Sequence, residues 1–256
     1  MIGLFDNITK NDITERPWPH ITKCDVLSDD LYSILDQTFP EQLICDHGTE
    51  VEPGKFRLSL AHISKSKISS TWYDFMTYHA SSYFVSTYVN LFKSQLIRKG
   101  VSILRRLSAG DYGLRYSNDV RDINIDCQFI LEEPHVNVGC HSRTPHYDKP
   151  NKICDLLFYM KKEADSSTGR DLLIYEDLPG ISYTDGYVTD LSKINLDKTL
   201  TYGKNRYVLI PMEKGTSVHC SSPFNDIESV DCNSSDNRRR YFEILIEIHN
   251  DTLYTR

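Results

Sequence analysis

Two imidazoles and one carboxylate, at His146, His219 and Asp148, are of the types that together can bind a transition metal. Held on a rigid sheet, such a set can occupy one face of an Fe(II) ion and leave the remaining coordination positions open for oxygen and a chelating ligand. The triplet His146-Tyr147-Asp148 and the later His219 therefore predict an oxygenase site, with these three side chains as metal ligands and catalytic residues.

A His-x-Asp triplet is weak evidence on its own, because a chain with nine histidines is expected to contain roughly one such triplet by chance. A second one, His249-Asn250-Asp251, lies within the last few residues and has no histidine after it to complete a set of three ligands. Its position therefore favours the triplet at 146–148.

An arginine cluster at residues 238–240 could bind an acidic cosubstrate. The apolar residues of the strand predicted next, at 242–248, occupy even positions, which we expect to face the inside of a barrel. Arg240 then points inward, where its guanidinium can hold a carboxylate in bidentate fashion. Arg238 is the second candidate and Arg239 is expected to face outward; the alternative for the whole cluster is a solvated basic turn.

The composition of the chain indicates which class of protein carries this site. The chain has 256 residues, of which 39% are hydrophobic and 25% charged, and these values are typical of a folded globular protein. A formal net charge of -7 argues against a nucleic-acid-binding surface. No segment approaches the ~20 apolar residues that span a bilayer, which argues against membrane insertion. Seven scattered cysteines without a Cys-x-x-Cys pair, and no signal-peptide pattern, predict a cytoplasmic protein.

The distribution of apolar residues predicts helices first and strands afterwards. Helical spacing at residues 28–39 and 71–97 indicates a mainly helical support over residues 1–100. Short strands separated by turn residues follow from residue 101 onward, the first of them at 101–107. We therefore predict one domain over 1–256 that is mostly β with helical support (α+β). Its core over 101–256 is predicted to be a two-sheet, jelly-roll or cupin-like barrel.

Three segments carry a resemblance to a known family: residues 145–150 (PHYDKP), 156–160 (LLFYM) and 165–172 (DSSTGRDL). Together they resemble the Fe(II)/2-oxoglutarate-dependent oxygenases of the prolyl-4-hydroxylase-like group, over about residues 100 to 250. Trp18-Pro19-His20-Ile21 and the helix after it look like the N-terminal support of related proteins in phages and marine bacteria. In that family a double-stranded β-helix carries His-x-Asp, a distal histidine and a later arginine or lysine.

The resemblance implies that Fe(II) is held by His146, Asp148 and His219, that 2-oxoglutarate chelates it, and that O2 is the oxidant. It also implies that Tyr159 lies where related enzymes place a tyrosine against the distal carboxylate of 2-oxoglutarate, although core packing explains that residue equally well. Related halogenases have a small residue in place of Asp148, so its presence favours hydroxylation, with release of succinate and CO2.

The chain departs from the family pattern at two places. Arg170 follows Gly169 where the family commonly has a second glycine, which leaves the role of Arg170 open. Residues 221–237 lengthen the stretch between the distal histidine and the arginines, as a lid or as a plain insertion.

The sequence leaves the substrate and the oligomeric state open. Peptidyl proline, another residue of a peptide and a small metabolite all present a suitable C–H bond. Two other classes of function stay open: a cupin-like binding module without catalysis, and a metal-dependent isomerase or hydrolase of the cupin type.

Overall fold

The helices of this protein, seen in a computed structural model, form one layer against a large sheet. The structure describes residues 3–133, 144–212, 217–222, 224–225 and 234–249. The six α-helices in these ranges are α1 (Asp29–Gln37), α2 (Glu41–His47), α3 (Ser70–His79), α4 (Ser82–Leu91), α5 (Lys93–Lys99) and α6 (Val101–Ala109). Ser28 and Ser69 cap α1 and α3 by accepting hydrogen bonds from backbone N–H groups of the first turn.

The strands are nearly all antiparallel and form two layers. They are β1 (Ile21–Cys24), β2 (Thr49–Glu52), β3 (Lys55–Ser59), β4 (Gly113–Leu114), β5 (Ile123–Glu132), β6 (Lys152–Met160), β7 (Thr168–Gly169), β8 (Leu172–Asp177), β9 (Tyr183–Thr184), β10 (Tyr187–Val188), β11 (Ile194–Leu200), β12 (Lys204–Pro211), β13 (His219–Ser221), β14 (Phe224–Asn225) and β15 (Arg239–Ile248). The large sheet has the order β1-β12-β6-β15-β5-β3-β2, with β4 parallel to β5. The small layer contains β11-β8-β13 and the pairs β10-β9 and β14-β7.

Both faces of the large sheet are buried, and they differ in character. On one face, Phe158 and Phe242 belong to the main apolar core with helix residues such as Trp72 and Phe75. On the other face, a smaller core between the two layers includes Tyr159 and Tyr241 from the large sheet with Ile174 from the small one. This inner face also carries buried polar residues, among them Asp126, Gln128, Glu132 and Glu243. The inner space is therefore partly polar.

The predicted α+β fold class, with a two-sheet core packed by N-terminal helices, is confirmed. The strand predicted at 101–107 is wrong, because Val101–Ala109 is a helix. Ile103, Leu104 and Leu107 share one face of that helix and pack on the main core, and Gly110 ends it in a left-handed conformation with φ 73°. The hairpin of β2 and β3 within the first hundred residues was not predicted.

The described helices include none that is both long enough and apolar enough to cross a bilayer. The five cysteines within the described ranges form no disulfide with one another. Of residues 221–237, interpreted as a lid or a plain insertion, residues 223 and 226–233 lie outside the described residues, as does Asp251 of the second His-x-Asp triplet.

Candidate metal centre

His146 and His219 lie directly opposite each other in the small layer. The His146 backbone N–H donates to the His219 carbonyl at 3.0 Å, and the His219 N–H donates back to the His146 carbonyl at 2.9 Å. On its other side His146 is paired with Tyr187, so it joins β13 to β10. Residues paired in this way have side chains on the same face of the sheet, and the two imidazole centroids are 4.9 Å apart.

The backbone sets the tautomer of both imidazoles. Nδ1 of His146 lies 2.8 Å from the Thr144 carbonyl and Nδ1 of His219 lies 2.7 Å from the Ser217 carbonyl. Because a carbonyl oxygen only accepts, each Nδ1 carries the proton and each neutral ring has its lone pair on Nε2. Ser217 takes a left-handed conformation with φ 69°, an uncommon state for a residue other than glycine. The arrangement suits metal ligation through Nε2.

Asp148 completes the set of ligands. One ligand atom from each of His146, Asp148 and His219 lies within 4.8 Å of the others, and Asp148 Oδ2 is 3.6 Å from Nε2 of His219. This Oδ2 is buried and has no hydrogen-bond partner among the described residues. A buried carboxylate oxygen without a hydrogen bond beside two neutral imidazoles fits a borderline divalent metal such as Fe(II).

Lys152 balances the charge of Asp148. Its Nζ lies 3.2 Å from Asp148 Oδ1 and 2.8 Å from Asp155 Oδ2. Burial raises the pKa of Asp148, but nearby positive charge, above all that of Lys152, lowers it by more, so that the pKa lies below its ordinary value and the carboxylate is ionised. Burial also raises the pKa of Asp155, to about 7, even though Lys152 opposes the shift. Lys152 was not among the residues predicted for the site.

The last strand presents Arg239 to the site, and Arg240 faces the opposite side. Arg239 lines a cavity of about 70 Å³ together with His146, Asp148 and His219. Arg240 instead pairs with Asp36 of α1, and its Nε donates to the Met160 carbonyl at 3.2 Å. The predicted inward orientation of Arg240 and the outward orientation of Arg239 are therefore wrong.

The physical reason is that the apolar side of β15 packs on the helices. Phe242, with Arg240 on the same side of the strand, faces the helical layer, while Tyr241 and Arg239 face the space between the sheets. Arg238, the second candidate, does not reach the site either: it is half-buried and pairs with Glu133 at 3.0 Å.

Positive charge dominates the inner space around Arg239. The carboxylate of Glu132 lies 3.3 Å from Arg239 and 2.9 Å from Lys55, and it also interacts with Arg170. Burial would raise the pKa of Glu132, but these cations hold it well below its ordinary value. Three cationic side chains thus face this one carboxylate in a buried environment, which suits the binding of a further anion.

Arg170 keeps the tight turn that the family pattern places there. Gly169 and Arg170 both have positive φ, 85° and 57°, so the arginine adopts the left-handed conformation that a second glycine would take. Its side chain is buried, with 2% of its surface exposed. Arg170 therefore contributes to the inner positive charge as well as to the turn.

Tyr159 lies beside Arg239. Its ring centroid is 5.0 Å from the Arg239 guanidinium carbon, and its hydroxyl is fully buried without a hydrogen-bond partner in the described part of the chain. A buried hydroxyl without a partner is uncommon in folded proteins. Together, Tyr159 and Arg239 offer one neutral and one charged donor, and this pair fits the distal carboxylate of 2-oxoglutarate.

Comparisons with known proteins bear on the fold. No family model matches the sequence, and no curated protein matches it. Among solved structures, a prolyl 4-hydroxylase from Phytophthora capsici superposes with a TM-score of 0.50 and 15% identity, over 90% of this chain and 58% of that chain. The chain has the fold of the prolyl 4-hydroxylases.

Two further solved structures have TM-scores below 0.50. A Pseudomonas putida prolyl-4-hydroxylase has a TM-score of 0.49 at 12% identity, over 90% of this chain and 92% of that chain. The α-ketoglutarate-dependent carbocyclase SnoK from nogalamycin biosynthesis has a TM-score of 0.42 at 10% identity, over 90% and 79%. The superposition on the Phytophthora capsici structure confirms the prolyl-4-hydroxylase-like fold that the resemblance implied, and the phage or marine bacterial type stays a prediction.

Proposed function

We propose that the protein is an Fe(II)- and 2-oxoglutarate-dependent dioxygenase that hydroxylates a C–H bond of its substrate. The observation that carries the proposal is the convergence of ligand atoms from His146, Asp148 and His219 within 4.8 Å, in a prolyl 4-hydroxylase fold. The balanced reaction is substrate C–H plus 2-oxoglutarate plus O2, giving substrate C–OH, succinate and CO2. Bound Fe(II) with 2-oxoglutarate and O2 would supply the oxidising power.

The protein residues would hold and orient these partners. The imidazole tautomers set by Thr144 and Ser217 keep both Nε2 lone pairs available to the metal. In place of the predicted Arg240 and Arg238, we assign the distal carboxylate of 2-oxoglutarate to Arg239, with Tyr159 as a second donor. This assignment is supported by the position of Arg239 in the same cavity as the three metal ligands.

The test is anaerobic addition of Fe(II) and 2-oxoglutarate to the full chain, followed by O2. We expect a weak visible charge-transfer band that requires both additions, and then formation of succinate. A protein that binds iron but forms neither the band nor succinate would be a non-catalytic cupin-like module. Turnover of a substrate without 2-oxoglutarate or O2 would instead identify a metal-dependent isomerase or hydrolase.

The substrate class is not fixed by this chemistry. Both a peptide residue, proline among them, and a small metabolite can present a C–H bond to the metal. A cytoplasmic location and a single domain over 1–256 remain part of the proposal.

A further inference from the structure

A second cavity, of about 550 Å³, adjoins the metal centre. It shares Asp148, Lys152 and Arg57 with the small cavity that contains the two histidines. Its volume lies within the range of roughly 300–1,000 Å³ that is usual for small-molecule sites. Its lining includes the aromatic residue Tyr116 and the apolar residue Leu245. A small molecule in this cavity would therefore lie next to the metal ligands.

Arg57 of β3 lies at the junction of the two cavities. Its Nε is buried without a hydrogen-bond partner, and its guanidinium forms no ion pair with another residue that the structure describes. Burial lowers the pKa of Arg57, but Glu243, Tyr241 and Asp155 raise it by more. The net shift is upward, so the side chain stays a cation. Within the described part of the chain, the guanidinium is thus stabilised by nearby carboxylates without a direct ion pair, and its buried Nε still lacks the hydrogen-bond partner that a ligand could provide.

Within the large cavity, the other charged side chains are engaged with one another or exposed. Arg115 is paired with Glu247 at 2.9 Å, and Lys152 is held by Asp148 and Asp155. Lys149 is exposed at the rim and, within the described ranges, makes no ion pair. Two cationic side chains, one deep and one at the rim, are therefore available to a negatively charged ligand.

We propose that the substrate is a small organic anion whose carboxylate or phosphate group binds Arg57 in the 550 Å³ cavity, with Lys149 at the rim adding to the electrostatic attraction. This inference rests on the proposed function, since it takes the cavity beside Asp148 as the place of the oxidised C–H bond. Arg57 is distinct from the residues assigned to 2-oxoglutarate, because Arg239 belongs to the small cavity and does not line the large one. The aromatic lining at Tyr116 would contact the uncharged part of the molecule.

The experiment measures binding of three matched compounds: benzoate, phenyl phosphate and the neutral benzamide. The full chain is first saturated with Zn(II) and 2-oxoglutarate, so that the cosubstrate site is filled and no turnover occurs. Isothermal titration is expected to show saturable binding of at least one anion, with a Kd on the order of 1 mM or lower, and much weaker binding of benzamide. The stronger of the two anions distinguishes a carboxylate substrate from a phosphate substrate.

Variants locate the binding. Arg57→Gln is expected to weaken anion binding by about tenfold or more, Arg57→Lys by less, and Lys149→Gln by a few-fold. Arg105→Gln is the matched control, because Arg105 is exposed on α6 and does not line the cavity, and it should bind the anions as the wild type does. Thermal unfolding of each variant identifies any that fails to fold. If Arg57→Gln fails to fold, the reduced anion affinity expected of Arg57→Lys still tests the inference.

Three outcomes would overturn the inference: no saturable binding of either anion, equal binding of benzoate and benzamide, or full anion affinity in folded Arg57→Gln. Failure of the proposed function is seen separately, as absence of the anaerobic Fe(II) and 2-oxoglutarate absorption band. An enzyme that shows the band but fails the anion test would be an oxygenase of neutral substrates.

Discussion

His146 and His219 form a hydrogen-bonded antiparallel pair, joined by two backbone hydrogen bonds of 3.0 and 2.9 Å. Because this pairing sets the two imidazoles side by side, backbone hydrogen bonding places two of the three metal ligands. Asp148, two residues after His146, then adds the third ligand from the same segment. Backbone pairing thus positions the two histidines of the centre, and the three side chains provide the atoms that can bind a metal.

The first prediction concerns metal binding. Replacing one of three ligands removes a coordinate bond, so His219→Ala is expected to weaken Fe(II) binding by about 100-fold or more and to abolish succinate formation. Equilibrium dialysis and a succinate assay measure the two effects. His47→Ala is the matched control, since His47 is exposed at the end of α2. Full metal affinity in His219→Ala would contradict the assignment of the centre.

The second prediction separates two neighbouring arginines. Arg239→Gln removes the buried cation from the cosubstrate site, and we expect the Kd of 2-oxoglutarate to rise by about 30-fold or more. Arg240→Gln loses contacts with Asp36 and the Met160 carbonyl on the helical side, so it should lower the free energy of unfolding by about 2 kcal/mol and leave that Kd unchanged.

Titration calorimetry and denaturant unfolding of both arginine variants provide the measurements. Because Arg239 also pairs with Glu132, the Kd of Arg239→Gln is read only under conditions in which the variant is folded. The reverse pattern, with the 2-oxoglutarate affinity lost in Arg240→Gln, would restore the orientation expected from the apolar pattern of β15.

A third prediction isolates one hydroxyl group. Tyr159→Phe removes only the phenolic oxygen, which is buried and has no hydrogen-bond partner in the described residues. The variant should therefore be at least as stable as the wild type, while 2-oxoglutarate binding weakens by about 1 kcal/mol, which is about fivefold in Kd. Thermal unfolding without cosubstrate and calorimetry with it test the two halves. A marked loss of stability would show that the hydroxyl has a structural partner.

The fourth prediction is a dependence of stability on pH. His79 is fully buried; its Nδ1 donates to the Phe75 carbonyl and its Nε2 accepts from the Leu4 N–H at 3.1 Å, so the ring must be neutral. Burial lowers its pKa from 6.5 to about 4. Between these values the unfolded chain takes up a proton that the folded chain does not, so stability is lost as the pH falls, by about 3 kcal/mol in total.

Denaturant unfolding from pH 7 to pH 4 measures this loss. His79→Gln supplies a matched control, because an amide can also donate to one partner and accept from the other without titrating in this range. The difference between wild type and variant removes the contribution of other groups, such as Asp126, whose pKa burial raises to about 6. An identical pH profile in both proteins would exclude His79 as the source.

Much of the fold could be predicted from the sequence because its strongest patterns are local. The apolar runs that became β6, β12 and β15 are long and flanked by turn residues, and the fold class followed from them. The segment at 101–107 was assigned wrongly because a short apolar run is compatible with both a strand and a helix. Burial of Leu107 in the main apolar core, to which α4 also contributes, favours the helix.

The candidate metal ligands could be predicted from the sequence, whereas the orientation of the arginines could not. Residue types and order suffice to select His146, Asp148 and His219. A period of two, however, shows that neighbours in β15 face opposite sides without showing which side holds the site. Here both sides are buried, and the apolar one meets the helices. Arg57 has no sequence signal at all, because β3 reaches the cavity only through its pairing with β5.

The ammonium group of Lys152 lies between Asp148 and Asp155, so a metal ion that binds Asp148 would replace this ammonium group as the counterion of the carboxylate. A divalent ion that approaches Asp148 would meet a carboxylate that already has a counterion, and Asp155 can retain that ammonium group when the metal takes its place. Metal affinity then reflects competition between two cations, and the metal-free protein can remain folded without a bare negative charge in its interior.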